Sequence, residues 1–141
     1  MIVKFYDQVE DEKLKFAVIA ARAEGKWVFC KHKARTTFEM PGGHREPGEP
    51  ILNTARRELQ EETGATAFDL QSVCVYSVTD PDDFDGAETY GLLCTARVHA
   101  FGPIDSEMEK IVLTADLPTQ WTYLQIQPKL LAELERRGVI Q

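Results

Sequence analysis

Cysteine is scarce and odd in number: Cys30, Cys74 and Cys94 lie in apolar stretches without CxxC spacing. That argues against a disulfide framework and for reduced, buried thiols in a cytoplasmic protein. Long apolar runs are also missing. The longest, FAVIAA at 16–21, falls far short of the roughly 20 residues that span a bilayer. The opening MIVKFYDQVEDEK has no apolar core of signal-peptide length, and its charges begin at Lys4 and Asp7, so a cytoplasmic location is expected. Positive charge is in deficit, with 16 Lys and Arg against 23 Asp and Glu, a net charge of −7. A grip on a nucleic acid polymer or an anionic membrane is thereby disfavoured. Small phosphorylated ligands stay open, because bound divalent cations reverse the local sign. No repeat, low-complexity tract or linker divides the 141 residues. The expectation is a single domain over 1–141, large enough to bury roughly 68–70% of its unfolded surface.

What is present alternates between strand-like and helix-like patterns. LKFAVIAAR (14–22) and KWVFCKHK (26–33), linked by AEG, read as a β-hairpin, and TTFEM (36–40) as a short strand. PGGHREPGEP (41–50), with three prolines and three glycines, reads as a shaped loop without regular structure. FDLQSVCVYSVT (68–79) and TYGLLCTARVHAF (89–101) flank an acidic loop and suggest a second antiparallel pair. KIVL (110–113) fits another strand, and QPKLLAELERRG (127–138) a closing helix ended by glycine. The acidic loop DPDDFDGAE fails as a calcium loop, since the required register puts Pro81 at the first ligand position.

The segment between loop and second pair carries the chemistry. A helix can begin at Pro50 and stop at Gly64, residues suited to a first turn and to a left-handed end respectively. Leu52, Ala55 and Leu59 form its apolar stripe. Beside that stripe Glu58, Glu61 and Glu62 stand at i, i+3 and i+4, a spacing that costs a few tenths of a kcal/mol per like-charge pair. Most acidic faces are simply solvated. Here a glycine-rich loop feeds directly into the helix, with Glu49 at the junction. Carboxylates one turn apart suit hard divalent cations such as Mg²⁺, and Gly42 and Gly43 let a backbone carbonyl approach closely.

From Gly43 to Ala65 the chain reads GHREPGEPILNTARRELQEETGA. This resembles the Nudix box, the signature of the Nudix hydrolase family: Gly43, Glu49, Arg57, Glu58, Glu61, Glu62 and Gly64 fill its fixed positions and Leu59 its aliphatic slot. At roughly 6% usage per residue type, seven such matches arise by chance with probability on the order of 10⁻⁹. Ala65 departs from the bulky aliphatic residue usual at the last position. More loosely, FEMPGG before the box and the ending RRGVI resemble small bacterial 8-oxo-dGTP diphosphatases of that family.

The resemblance implies an α/β Nudix fold, an α/β/α sandwich around a mixed sheet, and hydrolysis of a nucleoside diphosphate linked to another group by water attack at phosphorus. It implies metal ligation by Glu58, Glu61, Glu62 and the Gly43 carbonyl, holding Mg²⁺ or Mn²⁺, with Glu61 and Arg57 in catalytic roles. Arg57 would orient the carboxylates, Glu49 brace the loop and Gly64 end the helix. A further glutamate from outside the box is expected from DSEMEKIVL, Glu107 first and Glu109 in reserve. A nucleoside triphosphate, oxidised forms included, is the expected substrate, with ADP-ribose or a dinucleoside polyphosphate as alternatives. A domain that senses a nucleotide without cleaving it is the other alternative. The partner is a small-molecule nucleotide, and monomer and homodimer both fit. Basic residues of KHKAR (31–35) could meet phosphates, and Trp121 or Tyr123 could stack on a base.

Overall fold

The computed structural model describes residues 1–82, 86–104, 106 and 108–140. Its elements follow in the order β1 (Ile2–Tyr6), a 3-10 turn (Asp11–Lys13), β2 (Leu14–Ala23), β3 (Lys26–His32), β4 (Gly42–His44), α1 (Ile51–Thr63), β5 (Ala65–Thr79), β6 (Glu88–Phe101), β7 (Met108–Thr114) and α2 (Gln127–Arg136). The strands build a mixed seven-stranded sheet ordered β1-β5-β6-β2-β3-β7, with β4 also paired to β2. Among the described residues the pairings between these strands are antiparallel except that of β2 with β6.

Strand β2 shows why helices cover both faces. Successive strand side chains point to opposite sides. Ala17, Ile19, Ala21 and Ala23 join a core with Ala55 and Leu59 of α1. Phe16, Val18 and Ala20 join another with Leu130, Leu131 and Leu134 of α2. A strand buried on both sides reads as a continuous apolar run, which is the FAVIAA stretch. The sandwich expected from the sequence is therefore present.

The sheet forks at β2. Strand β3 stays with it for three pairs, Ala21–Ala23 against Lys26–Val28, after a turn in which Glu24 and Gly25 have φ of 54° and 75°, as the twist of a two-residue hairpin favours. Beyond that β3 leaves β2 while staying paired to β7 along its other edge, and β4 takes its place beside Phe16, Ala17 and Val18. Residues 38–41 bridge the fork: Glu39 exchanges backbone hydrogen bonds with Cys30 at 2.8 and 2.9 Å, and the Ile19 N–H donates to the Pro41 carbonyl at 2.9 Å.

Three expectations need correction. Gly42–His44 is a strand within the stretch expected to lack regular structure; a Cβ on Gly42 would lie 2.6 Å from the Ala17 carbonyl oxygen, so the glycine that breaks most strands permits this pairing. TTFEM makes only isolated bridges at Phe38 and Glu39. Leu52 is 37% exposed, because the buried stripe of α1 runs through Ile51, Ala55 and Leu59 and Leu52 lies one position, about 100°, away from Ile51. Strand β1 was not anticipated. It pairs with Val75–Thr79, and its Tyr6 hydroxyl donates to Glu88 at 2.6 Å together with Ser77 at 2.5 Å and Tyr90 at 2.7 Å. These hydroxyls, Ser77 foremost, hold the Glu88 carboxyl at about 2. Cys30, Cys74 and Cys94 are buried and free, as expected.

Both helices end on a left-handed glycine. After α2, Gly138 donates to Glu135 at 2.9 Å and Val139 to Leu134 at 3.0 Å, a Schellman ending. After α1, Gly64 has φ 76° and donates to the Gln60 carbonyl. Its own carbonyl accepts from Gly102 at 2.6 Å, and a Cβ here would sit 2.4 Å from the Gly102 carbonyl oxygen. Gly64→Ala combines backbone strain with a backbone clash and is expected to lower unfolding free energy by about 1–3 kcal/mol in a urea titration. A loss below about 0.5 kcal/mol would contradict this.

Candidate active site

The loop between β4 and α1 is pinned before the helix begins. Arg45 donates from Nε to the Glu49 carbonyl at 2.6 Å, from Nη1 to the carbonyls of Asp11 and Leu14 at 2.8 and 3.2 Å, and from Nη2 to the Asp11 carboxylate at 2.9 Å. Sequence reading passed over Arg45, whose type is unremarked within the motif. Pro50 enters the helix extended, with φ −60° and ψ 138°, and no side chain caps it.

Arg57 then ties loop to helix. Nε and Nη2 form a fork on Glu49 at 2.8 and 3.1 Å, and Nη2 also reaches the His44 carbonyl at 2.9 Å. Nη1 donates to Glu58 at 2.8 Å and, at a longer 3.3 Å, to Glu61. Glu49 accepts further from the Thr54 hydroxyl at 2.6 Å and the Glu46 N–H at 3.2 Å. Arg57 first and Thr54 next hold its carboxyl at about 2. A planar guanidinium suits such paired recognition and an ammonium does not.

The carboxylates of α1 sit in different surroundings. Glu58 is buried against Gly43, where a Cβ would come within 2.3 Å of the Glu58 carboxyl carbon. Burial raises its pKa, with Arg57 opposing. Glu62 accepts the Gly42 N–H at 2.8 Å yet is pushed up to about 8, chiefly by burial and then by the like charges of Glu58, Glu39 and Glu61. Glu61 has a 49% exposed side chain. Among the described residues no three His, Cys, Asp or Glu side chains converge on one point. The donor set nevertheless fits a hard cation: oxygen only, carboxylates that repel one another, and a glycine backbone pressed against one of them.

The remaining sequence candidates scatter. Glu107 lies outside the described residues. Glu109 is on β7 in an ion pair with Lys31, which lowers its pKa. Trp121 packs edge-on against Phe29 with ring centres 5.4 Å apart, a core contact, whereas Tyr123 is 40% exposed. Tyr123 lines a cleft of about 650 Å³ that runs from Arg57, Glu58 and Glu62 past Gly42 and Gly43 to an apolar wall of Phe16, Val18 and Tyr76. His32 and Arg35 of KHKAR line it as well. So do Glu39 and Gln127, buried polar residues that sequence reading missed because each sits within or beside an apolar run.

Comparison with known proteins places this geometry in a class. The chain belongs to the Nudix family: the NUDIX domain model matches residues 11–133, and the mixed sheet with its two helices is the Nudix fold. Members of that family generally need a divalent metal. The chain is similar to "Putative 8-oxo-dGTP diphosphatase YtkD" of Bacillus subtilis (strain 168), with 37% identity over 76 residues, 54% of this chain and 48% of that protein. It is 44% identical over 64 residues to the ADP-ribose pyrophosphatase of the same organism, covering 43% of this chain and 35% of that one. The alignments thus span about half and about a third of those relatives. The crystal structure of the Bacillus subtilis pyrophosphohydrolase BsRppH, a point mutant, superposes with a TM-score of 0.79 at 24% identity, covering 99% of this chain and 93% of that one. At that identity the likeness is one of fold.

The raised carboxyl of Glu62 sets a pH dependence for protein kept in chelator. A carboxyl with a folded pKa above its unfolded value binds more protons folded than unfolded, so stability falls as pH rises from about 4.5 towards 8. Melting temperatures across that window should decline, and Glu62→Gln, which can still accept the Gly42 N–H, should flatten the decline. An equal slope in the variant would remove Glu62 as its source.

Proposed function

We propose that the protein is a Mg²⁺-dependent pyrophosphohydrolase that cleaves a nucleoside triphosphate, oxidised forms included, to the monophosphate and pyrophosphate. The observation that carries this reading is the junction in one cleft of an acidic wall, Glu58 and Glu62 beside Gly43, with an apolar and aromatic wall, Phe16, Tyr76 and Tyr123. The first suits a cation-bound polyphosphate and the second a base and sugar. The name of the YtkD relative supports the triphosphate, and that of the ADP-ribose pyrophosphatase keeps a second nucleotide class in the test.

Glu58, Glu61, Glu62 and the Gly43 carbonyl would hold the ion. When bound, a divalent cation neutralises phosphate oxygens and acidifies nearby water. Arg57 keeps Glu58 aimed at the cleft and Glu49 fixes Arg57. Glu61, an exposed carboxylate whose contact with Arg57 is longer than those of Glu49 and Glu58, takes the proton as a water oxygen bonds to phosphorus. The bond from that phosphorus to the bridging oxygen breaks, and pyrophosphate leaves with its electrons. Gly42 lets β4 lie against β2, and Gly43 lets the Glu58 carboxylate rest against the backbone at the site.

Products should be separated after incubation with nucleoside triphosphates, 8-oxo-dGTP, ADP-ribose and dinucleoside polyphosphates, with Mg²⁺, with Mn²⁺ and with chelator. Turnover is expected only with metal, and Glu61→Gln should lower kcat by roughly 10²–10⁴-fold. Binding of a nucleotide with metal present but no turnover would replace the enzyme by a sensing domain. Separately, Mg²⁺ should raise the melting temperature of the wild type more than that of Glu62→Gln; equal shifts would move the ion elsewhere.

A further inference from the structure

We infer that Glu39 and Gln127 read the edge of the base and select guanine, an assignment that rests on the nucleotide reading of the cleft and extends it to a substrate class. Both residues line the cleft although they are only 6% and 4% exposed. Both are held from behind. Glu39 is fixed by its two backbone bonds to Cys30, and the Gln127 amide oxygen accepts the Met40 N–H at 2.8 Å. That contact sets the Gln127 amide beside residue 39 and leaves its nitrogen without an acceptor among the described residues. Glu39 accepts from Arg35 at 3.2 Å, with the Thr122 hydroxyl beside it. A carboxylate has about four acceptor sites, so part of its capacity is open to a ligand. Arg35 stands at the rim with a 45% exposed side chain, over the Tyr123 ring at 5.9 Å.

The chemistry of the pair is asymmetric. A carboxylate only accepts, and it matches two adjacent donors, the N1–H and 2-amino group of guanine. The amide nitrogen of Gln127 only donates, and it matches O6 of the same edge. Adenine presents an acceptor at N1, no 2-amino group and a donor at the 6-position, so both contacts fail. In so buried a setting an unmatched polar group is penalised strongly. The edge is common to guanine and its 8-oxo form.

The test compares guanosine, inosine and adenosine triphosphates by kcat/KM, and the three diphosphates by calorimetric binding with Mg²⁺, for the wild type, Glu39→Gln and Gln127→Glu. Inosine lacks only the 2-amino group. The wild type should prefer guanosine over inosine by roughly 10-fold or more, expressed in KM rather than kcat. Glu39→Gln should erase most of that ratio. Gln127→Glu, which still accepts from Met40, should weaken guanosine and inosine alike and improve adenosine relative to both. Guanine preference in binding without hydrolysis of any nucleotide would sink the proposed activity and uphold this inference. Hydrolysis with no base preference would overturn it, as would an unchanged ratio in a Glu39→Gln protein that melts like the wild type. Should Glu39→Gln fail to fold, Gln127→Glu decides: adenosine must gain relative to guanosine and inosine, and unchanged relative preferences overturn the inference.

Discussion

One guanidinium holds the candidate site in shape. Arg57 connects the side chain of Glu49 and the carbonyl of His44 on the loop to Glu58 and Glu61 on the helix. Those contacts converge because the guanidinium presents its donors in a rigid plane. Without it, three glutamates on adjacent turns would repel one another, and a loop rich in glycine and proline would have little to define its path. The neighbouring Arg45 performs the corresponding task on the other side of the loop, binding three backbone carbonyls and Asp11.

The electrostatics then divide by depth. Glu49, partnered by Arg57 and Thr54, stays ionised down to about 2, while Glu62, shielded from water and facing other acids, is pushed up to about 8. Carboxyl groups some thirteen positions apart in sequence thus differ widely in proton affinity, for identifiable reasons of hydrogen bonding and burial. A site strained by its own negative charge is complementary to a cation, and the strain is contained because Arg57 compensates one side and the Gly42 N–H the other.

Much of the site was legible before folding was considered. Gly43, Glu49, Arg57, Glu58, Glu61, Glu62 and Gly64 occur at spacings that a helix and a tight loop convert directly into proximity, and local geometry carries such patterns faithfully. The hairpin turn at Glu24–Gly25 and both glycine helix ends were legible for the same reason. Glu39 and Gln127 were not. They are 88 positions apart, and only the bridge across the sheet's fork brings residues 38–41 to the start of α2.

The sequence by itself determined the acidic helix, its start and stop, and the kind of chemistry its carboxylates suit, because each depends on residues within one or two turns of one another. Tertiary structure alone decided that β4 would replace β3 beside β2, that β1 would close the sheet against β5, and that an apolar wall would stand opposite the carboxylates. Those outcomes depend on pairing between distant strands, where the free energy comes from burial shared across the whole sheet and no short stretch of residues records the partner.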